Sequence, residues 1–201
     1  MTKIFEKKMK VVVFLLLMLF SINTLNAETK GIPGNTGMEH VGFTVPDLKE
    51  AVTFFEDVIG AEVVFEIGPF KSDNDWLKDH LDVDARAEIP KIAMVRLGNG
   101  SNFEIFEYVV KNQREVQPKN SDIGGHHIAI YVEDMNVAVK YLKEKGVKVL
   151  GQPTVMTQGA NAGTTWVYFV SPWGMYFELV SYENGVAYEK TTEKRVFTPK
   201  K

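Results

Sequence analysis

The stretch GHHIAIYVED, Gly125 to Asp134, repeats EHVGFTVPD, Glu39 to Asp47, and that repeat decides how the chain folds. Superposing His127 on His40 places Val132 on Val45, Asp134 on Asp47, Ala138 on Ala51 and Val139 on Val52. With one residue deleted, Gly146 falls on Gly60. A second echo sets YFELVSY, Tyr176 to Tyr182, on NFEIFEY, Asn102 to Tyr108. It matches Phe177 to Phe103, Glu178 to Glu104 and Tyr182 to Tyr108, with Gly174 on Gly100 upstream. The chain is therefore two copies of one module, each opening on a histidine and closing on a glutamate.

Within the first module, Val41, Phe43 and Val45 alternate with His40, Gly42 and Thr44, the period of a strand. Pro46 ends that strand and Asp47 is placed to cap a helix whose apolar stripe is Leu48, Ala51, Val52 and Phe55, with Gly60 as its stop. Strands follow at Ala61 to Ile67, Lys91 to Leu97 and Asn102 to Val109, the last two joined by the tight turn Gly98-Asn99-Gly100. An insertion, 68–90, carries the amphipathic segment Asp75 to Leu81. Its His80 has no partner at useful spacing and reads as a surface or capping residue. The module is β-α-β-β-β. Module two repeats it from His126, with a helix stripe of Met135, Ala138, Val139 and Leu142, then strands near Val147 to Val149, Thr165 to Val170 and Met175 to Ser181.

Strand neighbours point to opposite faces, so the alternation also sorts the chemistry. His40, His127, Glu104 and Glu178 all take the face that the helices do not cover. Two imidazoles and two carboxylates recurring at matched positions propose a divalent-metal site, since these donors suit Zn²⁺, Ni²⁺, Co²⁺, Mn²⁺ or Fe²⁺. Glu107 is the neighbouring competitor of Glu104, but it lies on the other face and has no match in the repeat. Phe106, Tyr131, Trp166 and Tyr168 line the same open face if their strands alternate as read, or else serve as packing aromatics. Arg96 either meets an anionic substrate there or lies on the surface.

Across 201 residues the composition is 45% hydrophobic and 24% charged, with a formal charge of −3. Those values describe an ordinary globular chain with no basic bias toward nucleic acid. With no cysteine there are no disulfides, thiolate ligands or thiol nucleophile. Lys3, Lys7, Lys8 and Lys10 precede the apolar run Val11 to Phe20 and the cleavage-like Leu25-Asn26-Ala27, which reads as a secretory signal. The expectation is a leader, 1–27, a linker, 28–37, a domain, 38–183, holding module one, 38–110, and module two, 125–182, and a polar tail, 184–201, that lies along the surface or frays. Cleaved near Ala27, the product is periplasmic or secreted and free of the membrane.

The segments EHVGFTVPDLKEAVTFFEDVIG, NFEIFEY, GHHIAIYVEDMNVAVKYL and PWGMYFELV together resemble the vicinal oxygen chelate superfamily of glyoxalase-like enzymes, extradiol dioxygenases and resistance proteins. The resemblance implies an α+β fold in which paired βαβββ modules curl into a cupped mixed sheet around one divalent metal. It implies ligands at His40, Glu104, His127 and Glu178, and a homodimer; the site forms either within one chain or with His40 and Glu104 of one copy meeting His127 and Glu178 of the other. It also implies a lyase, isomerase or epimerase that chelates neighbouring oxygens of a small hydroxycarbonyl or polyol, with Glu178 taking a proton and Glu104 returning it. Alternatives are an Fe(II) extradiol-type dioxygenase and a non-catalytic small-molecule binding protein. Export argues against coenzyme A substrates, and no Lys/Arg cluster is present to suit the phosphates of that carrier.

Overall fold

The computed structural model describes residues 31–199; the expected signal peptide, 1–27, and residues 28–30 of the linker lie outside them. Residues 31–38 form turns only, one of them closed by the Asn35 N–H donating to Ile32 O at 3.1 Å. From His40 onward the two repeats become two four-stranded mixed sheets. In module one, β1 (His40–Val45), β2 (Glu62–Ile67), β3 (Glu88–Leu97) and β4 (Ser101–Val109) lie in the order β1-β4-β3-β2. In module two, β5 (His127–Tyr131), β6 (Lys148–Val155), β7 (Thr165–Val170) and β8 (Tyr176–Ser181) lie in the order β5-β8-β7-β6. The first strand of each runs parallel to the last, and every other pairing is antiparallel.

The repeat positions that match are those that build the helices. Asp47 accepts from the Glu50 N–H at 2.9 Å to open α1 (Leu48–Phe54), and Asp134 accepts from Asn136 and Val137 to open α3 (Met135–Glu144). Each side chain satisfies donors that the first helical turn would leave orphaned. The first helix runs on through a π turn, Phe55–Ile59, and stops at Gly60, whose φ of 77° is open to glycine at little cost. Insertion residues Trp76–Leu81 form the short helix α2, as their amphipathic pattern predicts.

Phe55 sits at the centre of the core, with Phe43 and Phe103 of the first sheet on one side and Trp173 and Phe177 of the second module on the other. It is fully buried, and burying such a ring contributes about 1.5–3 kcal/mol. The Tyr141 hydroxyl donates to the Asp57 and Val58 carbonyls, tying α3 to the end of α1. One apolar core is thus shared by the helix-facing sides of both sheets. The opposite faces, carrying His40 and His127, are the ones it leaves uncovered.

Two strands run beyond their expected bounds: β3 begins at Glu88, within the expected insertion, rather than at Lys91. Strand β6 continues to Val155 rather than ending near Val149, because an irregularity between Leu150 and Thr154 absorbs Gly151, Gln152 and Pro153. A proline is tolerated on this edge strand, where no inner neighbour needs its N–H. The described part of the tail lies along the surface, one of its two expected courses: Ala187–Lys190 form a 3₁₀ turn, and the Ala187 and Tyr188 N–H groups donate to Ala162 O and Ala160 O at 2.9 and 2.8 Å. These bonds need no apolar periodicity, which is why the polar pattern concealed them.

Candidate active site

Each half of the site comes from the edge where the first and last strands of a module run side by side. In module one Gly42 registers with Glu104, and His40 Nε2 stands 3.2 Å from Glu104 Oε2. In module two Ala129 registers with Glu178, and His127 Nε2 stands 3.0 Å from Glu178 Oε2. Small residues at positions 42 and 129 leave the room: a Cβ on Gly42 would already lie 3.8 Å from Glu104 Oε2.

Both pairs present an imidazole nitrogen beside a carboxylate oxygen. Neighbouring donors around a divalent ion bonded at about 2.1 Å are themselves about 3 Å apart, so each pair fits half of a coordination shell. Among the described residues no three His, Cys, Asp or Glu side chains converge on one point. The structure therefore brings His40 to Glu104 and His127 to Glu178, as two separate pairs.

Glu39 is a site residue that alternation hides. It lies just before the β1 ladder begins, and its carboxylate reaches back to His40 Nδ1. Carboxylate support on the far ring nitrogen orients an imidazole that ligates through the other. Together with Glu104 it raises the His40 pKa above the ordinary imidazole value against a smaller opposing effect of desolvation, the Glu39 hydrogen bond being the largest cause. Glu107, the competitor of Glu104, accepts from the Leu48 N–H at 2.9 Å and helps to cap α1.

The aromatic residues fall on the open faces as alternation predicts, but in different surroundings. Tyr168 registers with Glu178, meets the His127 ring edge-on at 5.0 Å and places its hydroxyl 3.5 Å from His127 Nε2. Burial first, and the Glu178 charge second, raise its pKa, so it remains a phenol with a proton to donate. Trp166 packs against Tyr168 at 5.5 Å. Tyr131 lies further along, in register with Val180 and 4.8 Å from the Tyr182 ring. In module one the position across from Glu104 belongs to Met94, Phe106 stacks on Tyr108 at 5.5 Å, and Arg96 is exposed opposite Asn102 and Glu62. His80 stacks on Trp76 at 4.6 Å in the insertion and belongs to neither pair.

Residues 39–168 match the family described as the glyoxalase/bleomycin resistance protein/dioxygenase superfamily. A 2-epi-5-epi-valiolone epimerase of Actinomyces sp is 48% identical, over 85% of this chain and 92% of that protein. The mitochondrial methylmalonyl-CoA epimerase of Bos taurus is 31% identical, over 63% of this chain and 69% of that protein. A glyoxalase family protein from Bacillus cereus superposes with a TM-score of 0.58 at 19% identity, covering 75% of this chain and 98% of that one. The structural likeness shows the fold, and the epimerase relatives make the chain an enzyme of isomerase type.

Proposed function

This chain belongs to the glyoxalase/bleomycin resistance protein/dioxygenase superfamily, and from that premise we propose that it epimerises a small free hydroxyketone of the 2-epi-5-epi-valiolone kind. The observation that carries the reading is the pair of repeat-equivalent His–Glu contacts, 3.2 and 3.0 Å, on faces that the core leaves open. His40, Glu104, His127 and Glu178 would together hold one divalent metal, zinc, nickel, cobalt or manganese. Bound there, such a cation supplies positive charge that acidifies the hydrogen on the carbon beside a carbonyl.

Proton transfer falls to the carboxylates. Glu178, the less exposed of the two at 16% against 26% for Glu104, removes the proton: the C–H bond breaks, its electron pair moves toward the carbonyl, and a carboxylic acid forms. Glu104 passes a proton drawn from water to the opposite face, the electron pair returns from the oxygen to form the new C–H bond and complete the inversion, and the proton on Glu178 leaves to water. The Tyr168 phenol beside Glu178 donates a hydrogen bond to a substrate oxygen, and the Trp166 ring offers an apolar surface to the carbon skeleton.

We place the complete site between two copies around a two-fold axis, His40 and Glu104 of one chain facing His127 and Glu178 of the other, a reading supported by the equivalent His–Glu pairs of the two modules. Residues 1–27 direct export, and the mature protein begins at Glu28. Elemental analysis of exported protein purified without added metal tests the ligand set: near-stoichiometric zinc, nickel, cobalt or manganese is expected, and none in His40→Ala/His127→Ala. Iron would favour the ring-cleavage reading. A parent that binds no metal on titration would remove the metal site.

A further inference from the structure

Two unrelated segments cover equivalent ends of the two open faces. In module one the insertion does so: Leu77 of α2 is buried with Ala87, Ile89 and Ile92, and Phe106, Tyr108, Val83 and Val110 pack against them. The insertion closes on itself through Phe70 and Ile89, which exchange N–H to O bonds at 2.9 Å. Apolar side chains fill that end of the face.

In module two the same positions are Val180, where module one has Phe106, and Tyr182, where it has Tyr108. Here the C-terminal segment is the cover. Its Tyr188 hydroxyl accepts from the Val196 N–H at 3.2 Å, its Arg195 guanidinium donates to the carbonyls of Glu189, Thr192 and Lys194, and Thr198 bonds the Tyr182 hydroxyl at 2.7 Å. The contact with loop 158–163 is close. A Cβ on Gly163 would meet Gly185 O at 2.7 Å, so only glycine fits there. Under this cover lies a hollow of about 340 Å³ lined by Val180, Tyr182, Val186, Tyr188, Arg195 and Val196.

We propose that this hollow is the subsite that receives the substrate ring, with the C-terminal segment as its outer wall. The proposal rests on the epimerase reading and deepens it. Val180 follows Glu178 on the same strand face, about 6.7 Å along, so a ring seated in the hollow has its neighbouring carbon within reach of that carboxylate. Valines and tyrosines suit the C–H faces of a polyhydroxylated ring, and the Arg195, Asn161 and Thr164 side chains at the lining suit its hydroxyls. A volume at the low end of the range of about 300–1,000 Å³ for ligand sites matches a single ring.

Two variants test this with 2-epi-5-epi-valiolone as probe. Val180→Phe, which installs the residue of module one, fills the hollow; a chain ending at Glu183 removes the wall. Neither change touches a ligand pair, and no residue beyond Glu183 belongs to either apolar core. Expected are a KM raised at least about tenfold in both, with melting temperatures close to that of the parent. Should Val180→Phe fail to fold, the truncated chain alone decides. An active parent with unchanged KM in the folded variants overturns the subsite and leaves the epimerase standing. A parent that neither binds nor turns over the probe overturns both.

Discussion

Glu178→Gln is expected to lower kcat on the hydroxyketone by about 10²- to 10⁴-fold, the usual contribution of a positioned general base. KM should change far less, because the Tyr168, Trp166 and hollow contacts that hold the substrate remain. Glutamine keeps the shape of the side chain, and metal content measured beside kcat separates the lost proton acceptor from a lost ligand. The fold should survive: Phe177 and Leu179, the neighbours on β8 that point the other way, carry that strand's share of the core. Circular dichroism and melting of the variant check this point. A kcat within a few-fold of the parent would show that another group takes the proton.

The second large effect concerns where the site is assembled. One variant carries His40→Ala and Glu104→Gln, another His127→Ala and Glu178→Gln, and each alone should be inactive. Coexpressed with different tags, they form mixed dimers in which the intact module one of the second chain faces the intact module two of the first. Random pairing makes half of the dimers mixed, each with one intact site of two, so about a quarter of the parent activity should return. Sites closed within single chains would recover none, since every chain then carries one damaged half. The expectation of recovery rests on the open faces, each of which brings one imidazole and one carboxylate together.

Much of this was legible in the residues. The echo of His40 by His127 and of Glu104 by Glu178 revealed the duplicated module, and strand alternation placed all four side chains on the uncovered faces. Asp47 and Asp134 could be read as caps because their chemistry is local. What stayed hidden lies outside the alternation and the apolar stripes. Glu39 escaped because it precedes the ladder, where alternation does not apply. The anchoring of the tail escaped because main-chain bonds to Ala160 and Ala162, rather than an apolar stripe, hold it in place. The apolar cover over Phe106 and the hollow over Val180 depend on Leu77 and Tyr188, residues whose partners lie far along the chain.

The most direct test of the proton-transfer account is epimerisation of 2-epi-5-epi-valiolone in D₂O, followed by NMR at the carbon beside the carbonyl. The parent should invert that carbon and leave deuterium on it. Glu104→Gln should exchange deuterium into the starting epimer without inverting it, because Glu178 still removes the proton, and Glu178→Gln should do neither. Inversion without deuterium, or full exchange by Glu178→Gln, would contradict the two-carboxylate mechanism.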